Sequence, residues 1–391
     1  MVSREELRKL AEFECRHPNE FAVTFYFQPS TPKDKSHREE AIEAKDLVRR
    51  TLQELEVNGR SRDVVADLRQ ILQLAEGLRG NQARGKAVFA CSSRKLWLEF
   101  DLPASTGQTA LYVNRRFHLM PLAAVFSEYP RLWVALVDRQ NAKFLDIYFD
   151  EIREQGAIRN PAPRHGRSDG YAGYDAGHAQ RHSDDEVRRH YRMVSEFLKN
   201  ASEKKQFEAL VIGCHEVNWP ELQPQLHPDV QKKIVGRFSD DFGNLTTEKA
   251  ATEAERIRRQ SLEEHHRSLF RETLDAAKSN GRGATGLRRV LRALEMGEIE
   301  TVLMARNYSA RAVECTNCHH LDSHMVPYCP VCGRATRQLE DVCEALVPRV
   351  VRNSITLVLL HPDETLDRIG NIAALLRFRA DRNTNQMLAA S

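Results

Sequence analysis

Hydrophobic positions along this chain change period several times, and the changes divide it into three segments. The first, residues 1–125, opens with a charged stretch of helical pattern and then a continuous apolar run over 21–27, stopped by Pro29 and Pro32. A short apolar run with such stops predicts a buried strand. Ile42, Leu47, Val48, Leu52 and Leu55 then recur at helical spacing, and so do Val64, Leu68, Ile71, Leu72, Ala75 and Leu78. The two stripes predict an amphipathic helical hairpin. Its connection, Asn58-Gly59-Arg60-Ser61-Arg62, is a turn with basic side chains at the tip. Two short strands, around 87–90 and 96–100, follow across Ser92-Ser93-Arg94-Lys95, so this segment reads as a helical hairpin on a small sheet.

The second segment, 126–265, begins with two apolar runs over 132–137 and 143–149, a hairpin pattern around Asp138-Arg139-Gln140-Asn141. A long polar stretch precedes a helix starting near Asp184, whose buried stripe is Val187, Tyr191, Val194 and Leu198. A buried strand over 207–214 and a charged helix over 246–275 complete it. The third segment, 266–391, alternates again. A helix carries Leu287, Val290, Leu291 and Leu294 and closes near Gly297; strands are expected over 301–305 and 355–360. Leu339, Val342, Ala345 and Leu346 predict a second helix ending before Pro348, and 372–378 a final strand. The fold class is mixed α/β in three domains, each a small sheet with packed helices. The last is an α/β/α layer.

Charge adds little to this picture. The 391 residues carry a net charge of +3, and 29% are charged, so any nucleic-acid contact must come from local patches. No apolar run approaches the ~20 residues of a membrane span. The N-terminus shows no apolar targeting stretch, so a cytosolic protein is expected.

Chemistry enters with the cysteines. Cys315-Thr316-Asn317-Cys318 and Cys329-Pro330-Val331-Cys332 form two CxxC pairs ten residues apart. Two facing turns of this kind supply the four thiolates that tetrahedral Zn²⁺ prefers. Gly333 permits the positive φ that lets a backbone amide approach a ligated sulfur. Four unrelated cysteines are the alternative, and His319, His320 or His324 could replace one sulfur. A closed four-thiolate set leaves no position for water, so the zinc, held in a knuckle over 315–332, is expected to be structural. Cys15, Cys91, Cys214 and Cys343 are scattered and read as reduced core residues.

The other candidate site is the stretch 161–192. Gly166, Gly170, Gly173 and Gly177 make it pliable, and six arginines (Arg164, Arg167, Arg181, Arg188, Arg189, Arg192) stand against five acids. His165, His178, His182 and His190 can add charge; Tyr171, Tyr174 and Tyr191 offer stacking surfaces for bases. Ser183-Asp184-Asp185-Glu186 reads as a capping box opening the helix. On that reading His178 and His182 precede the helix and share no face. A solvated surface loop is the alternative to an RNA-binding one.

The order of segments, the Gly177-His178-Ala179-Gln180-Arg181 loop before the helix with Tyr191, and the passage from Gly286 through Gly297-Glu298-Ile299-Glu300-Thr301-Val302-Leu303 resemble the archaeo-eukaryotic class I release factor and Pelota superfamily, in particular its bacterial, Balon-like members. The resemblance covers essentially the whole chain, and the knuckle is similar to the minidomain of archaeal relatives. It implies a tRNA-shaped, ribosome-associated factor in the A site, with the Asn58, Arg60, Ser61 and Arg62 tip in the decoding centre. Asn58-Gly59-Arg60-Ser61 is similar to the Asn-Ile-Lys-Ser of release factors. The central stretch, with Arg164, Arg167, His178, Gln180, Arg181, Arg188 and Arg189, would reach toward the peptidyl-transferase centre, and the last domain would meet a translational GTPase or the stalk base. Releasing members carry Gly-Gly-Gln; here Gly177 and Gln180 are separated by His178 and Ala179. Rescue or hibernation without catalysis is therefore expected. The alternatives are a peptidyl-tRNA hydrolase using Gln180, and a zinc-stapled RNA- or protein-binding module with no ribosomal role.

Overall fold

A computed structural model describes residues 3–17, 19–28, 38–57, 62–78, 85–102, 108–148, 151–160, 175–239 and 245–380. The N-terminal part holds α1 (Arg4–Glu12), β1 (Ala22–Phe27), α2 (Arg38–Val57), α3 (Arg62–Gly77), β2 (Gly85–Cys91), β3 (Leu96–Leu102), β4 (Ala110–Asn114) and α4 (Met120–Glu128). The central part holds β5 (Leu132–Val137), β6 (Asn141–Tyr148), β7 (Glu151–Arg159), α5 (Asp175–Glu203), β8 (Ala209–Gly213), α6 (Trp219–Leu222), α7 (Pro228–Gln231), β9 (Ile234–Phe238) and α8 (Thr247–Lys278). The last part holds β10 (Gly283–Thr285), α9 (Leu287–Glu295), β11 (Ile299–Ala305), β12 (Ala312–Cys315), β13 (Leu321–Asp322), β14 (Thr336–Leu339), α10 (Cys343–Arg352), β15 (Thr356–Leu360), α11 (Glu364–Arg368) and β16 (Ile372–Leu376). The fold is mixed α/β, with several small sheets.

Two compact units result: residues 129–265, and residues 1–128 together with 266–391. In the unit 129–265 the sheet order is β7-β6-β5-β8-β9, antiparallel through β7, β6 and β5 and parallel through β5, β8 and β9. Strand β5 is buried on both faces, as expected for a central strand flanked by helices. Trp133, Ala135 and Val137 pack with Val187, Tyr191, Val194 and Leu198 of α5. Leu132, Val134 and Leu136 pack with Ala250, Ala254 and Ile257 of α8. The period of two thus assigns one helix to each face. Gly213 sits where a Cβ would lie 2.6 Å from Leu136 and 2.7 Å from Phe238, so the β8 end accepts no side chain without displacing both.

The described residues of the other unit form three sheets. β3-β2-β1-β4 is antiparallel, with α2 and α3 closing a core over Phe25, Phe27 and Val88. On α2 the seats facing that core are Ala41, Ala44, Val48, Leu52 and Leu55. Ile42, expected on this stripe, is 41% exposed, because the stripe is centred one residue earlier on two alanines. β10-β16-β11-β15 is mixed, with β11 parallel to β15. The third sheet, β13-β12-β14, carries the cysteines and is inserted between β11 and α10, a strand and a helix. Leu339 ends β14 rather than starting a helix, and Pro348 lies inside α10. A proline in the second turn loses a single amide bond, and burial of Leu346, Val347 and Val350 outweighs that loss. β4, α4, β7 and β9 escape a period-based reading. β7 is largely exposed and lacks an apolar run, and β4 is half-buried with a run of only four apolar residues, 110–113.

Candidate functional site

α5 is 29 residues long and starts at Asp175. Gly177-His178-Ala179-Gln180-Arg181, expected on a loop, therefore lies in its first turns, and Ser183 is an interior position rather than a cap. Ala179, Gln180 and Arg181 are all good helix formers, which carries the helix back past Ser183. Positions 178 and 182 consequently fall one turn apart on a helix, contrary to the expectation that they share no face. Among the described residues Glu186 makes no capping contact. Asn160 donates to its carbonyl at 3.2 Å and to its carboxylate at 3.3 Å, tying the end of β7 to α5.

From Asp184 onward the helix sorts its side chains by face. Val187, His190, Tyr191, Val194 and Leu198 are buried. Tyr191 is thus core and offers no stacking surface. Desolvation holds the His190 pKa below its usual value, so this imidazole is neutral and adds no charge to the face. Arg188, Arg189 and Arg192 are exposed. Arg188 lies 4.0 Å from Asp185 and Arg189 3.9 Å from Glu186, with the arginine side chains 65% and 74% exposed. Pairs this open are worth little, so both guanidiniums stay available to an anionic surface. Arg192 donates to Gln225 at 3.4 Å, and Arg139 spans Asp184 and Glu221, each at 3.5 Å. Arg62 opens α3 and is exposed. Asn58, Arg60, Ser61, Arg164, Arg167, Tyr171 and Tyr174 lie outside the described residues.

The cysteine centre is built by β12, the turns after Cys315 and Cys329, and the return to β14. The four sulfurs lie within 4.8 Å of one another. Cys315 and Cys332 are 3.4 Å apart, Cys318 and Cys329 3.6 Å. Tetrahedral Zn–S bonds of about 2.3 Å imply sulfur separations near 3.8 Å, so the set fits such an ion. The amides of Asn317 and Cys318 approach the Cys315 sulfur, and that of Val331 the Cys329 sulfur, all at 3.4 Å. Burial acts to raise the Cys315 thiol, but the Cys318 and Asn317 amides, with the Cys332 and Cys318 thiols, bring it down to about 6. Gly333 has φ +71°, as the second turn requires. The histidines turn elsewhere: His319 toward Glu314 at 3.5 Å, His320 toward Glu295 at 3.9 Å, His324 toward Asp322 at 2.9 Å. Cys15, Cys91, Cys214 and Cys343 are buried and form no disulfide.

Beneath the centre lies an ion cluster that sequence reading missed. Glu314, beside Cys315, is 1% exposed and accepts from Arg116 at 2.8 and 2.9 Å and from Arg337 at 3.0 and 2.7 Å. Arg116 also reaches Glu14 at 2.5 Å. Burial alone would raise the Glu314 pKa; the arginines reverse this and hold it below the usual carboxylate value. The available signal was a lone acid inside the apolar Ala312-Val313-Glu314-Cys315 run.

Residues 118–269 match the family model described as bacterial archaeo-eukaryotic release factor family 10. Over this segment, about two fifths of its length, the chain is similar to that release-factor family. The matched segment includes all of β5 to β9 and α5, hence the arginine face. No curated protein matches the chain. Among solved structures, the archaeal Pelota in a model of ribosome-bound Pelota and ABCE1 is similar over 96% of this chain and 94% of its own, with 13% identity and a TM-score of 0.42. Dom34 of S. cerevisiae, described as a translation termination-like factor interacting with Hbs1, is similar over 75% and 79%, at 11% identity and 0.40. The archaeal termination factor aRF1 is similar over 96% and 99%, at 15% and 0.26. Superpositions this loose carry no argument about activity. No helix among the described residues is long and apolar enough to cross a membrane.

Proposed function

We propose that this protein is a ribosome-associated, release-factor-like translation factor that occupies the A site through RNA contacts, in ribosome rescue or hibernation, without catalysis of its own. The observation that carries the reading is the family match over residues 118–269, the segment that presents Arg188 and Arg189 on the open face of α5. In this proposal the protein acts in the cytoplasm as three domains, 1–125, 126–265 and 266–391. The first contributes the Asn58, Arg60, Ser61 and Arg62 tip, and the last, with a structural Zn²⁺, meets a translational GTPase.

Phosphate contacts make binding salt-dependent, the slope of log K against log salt growing by about 0.7 to 0.9 per phosphate neutralised. Ribosome co-sedimentation of the wild type should therefore weaken steeply between low and moderate salt. Changing Arg181, Arg188 and Arg189 together to Ala should flatten that slope by roughly two units. An unchanged slope would move the contact surface away from α5, and no co-sedimentation at all would overturn the ribosomal reading.

Absence of peptide release is also expected. Catalysis of acyl transfer needs donors aimed at the developing oxyanion. Only the first four amides of a helix are unpaired, so in α5 those from Ala179 onward belong to the backbone ladder. The wild type should release no peptide from stalled ribosomes above background, and Gln180→Ala should leave ribosome binding nearly intact. Robust release, lost on the order of 100-fold or more in Gln180→Ala, would instead establish a hydrolase.

A further inference from the structure

A cleft of about 490 Å³ separates the outer side of α9 from the cysteine knuckle. α9 is strongly two-sided: Val290, Leu291, Ala293 and Leu294 are buried, while Arg288, Arg292 and Met296 face out. Leu291 and Leu321, each 2% exposed, form the floor. Met296 at 54% exposed and Val331 at 67% form apolar edges on opposite walls. Arg288 and Arg292 stand one helical turn apart on the rim, and neither meets a carboxylate among the described residues. The two acids of the rim are already engaged. Glu295 is held by Arg349 at 2.6 Å, and Asp322 accepts from the His324 amide and lies 2.9 Å from its ring. The unspent charge of the cleft is thus positive, over an apolar floor.

We infer that this cleft docks an acidic peptide segment of a partner protein. One large apolar side chain sits between Met296 and Val331, and flanking carboxylates pair with Arg288 and Arg292. Exposed apolar side chains placed around a concave floor mark an interaction site rather than scattered surface residues. A paired arginine rim suits carboxylates, which it can grip by two parallel bonds. RNA fits less well. Among the described residues the rings lining the cleft are His320 and His324, both turned to carboxylates, and two arginines neutralise few phosphates. The inference is independent of the ribosomal proposal, since it concerns residues 288–331 and is read without ribosomes.

The test is fluorescence polarisation on the full-length protein. The probes are a labelled Asp-Glu-Leu-Phe-Glu-Asp peptide, the same peptide with lysines for the acids, and a short labelled single-stranded RNA. The acidic peptide should bind saturably and the lysine peptide should not. Arg288→Glu with Arg292→Glu should weaken the acidic peptide at least about tenfold, and Met296→Ser with Val331→Ser by about fivefold or more. All four side chains are on the surface, so thermal melting and metal content should stay at wild-type values; a variant that fails this check is replaced by the milder Arg288→Gln with Arg292→Gln. Absence of saturable binding by the acidic peptide overturns the inference. So does unchanged affinity in the charge variants, or RNA binding that those variants abolish.

Discussion

Cys329→Ser will lose most of its bound metal, while the purified wild type will carry about one Zn²⁺ per chain. Cys329 is 3% exposed and contributes one of four sulfurs that lie within 4.8 Å of each other. Without the ion, those thiolates would repel one another and the turns at Cys315 and Cys329 would keep little besides their few amide contacts. In isolated finger peptides the metal contributes about 10–16 kcal/mol of folding free energy. Here β12 and β14 are also anchored through Glu314, so the loss should concentrate in residues 315–339. Elemental analysis reads the metal directly. Limited proteolysis should cut the knuckle early in the variant while leaving 129–265 intact. Full occupancy in Cys315→Ser with Cys329→Ser would place the metal elsewhere.

Arg116→Met will destabilise the unit made of residues 1–128 and 266–391 by about 3–5 kcal/mol at pH 7. That is the usual cost of removing one partner from a buried ion pair. Glu314 would keep Arg337, its shortest contact at 2.7 Å, but lose both hydrogen bonds from Arg116, made across 198 residues of sequence. The sign of the pH dependence follows from the depressed Glu314 pKa. In the wild type the pair contributes stability that is complete above the unfolded carboxylate value, near 4.5, and disappears as pH falls through the lower folded value. In the variant Arg337 remains, but burial is offset less fully, so the Glu314 pKa rises from its wild-type value. Its penalty is then present at neutral pH and relieved when the carboxyl takes a proton. The gap between the two proteins should therefore narrow below about pH 4.5. Urea midpoints at pH 7 and pH 4 measure it. A gap that is constant with pH would exclude the charge as its cause.

How much of this was legible beforehand depended on the range of the interaction involved. The helical hairpin, β1, β5, β8 and α9 follow from period alone, because each buries one stripe or one run against its neighbours. The cysteine centre was legible for a similar reason. Its four cysteines lie within eighteen residues, and two short turns suffice to bring them together. The start of α5 was misplaced because Ser183 and Glu186 satisfy a local capping pattern that the helix overrides. The favourable residues before it, together with the packing of Val187 and Tyr191 on the sheet, extend the helix to Asp175. The same burial withdrew His190 and Tyr191 from the candidate surface.

The chain's own order of residues was enough to specify mixed α/β architecture, a hairpin-bearing first segment and a four-sulfur knuckle inserted before a helix. These depend on contacts between near neighbours, where side-chain type and spacing decide the outcome. Tertiary structure alone decided that Arg116 and Glu314 form a buried pair, that residues 1–128 and 266–391 share one unit, and that Arg288 and Arg292 rim an apolar cleft. Each of these depends on which distant surfaces meet, and hydrophobic spacing says that a face is buried without saying against what.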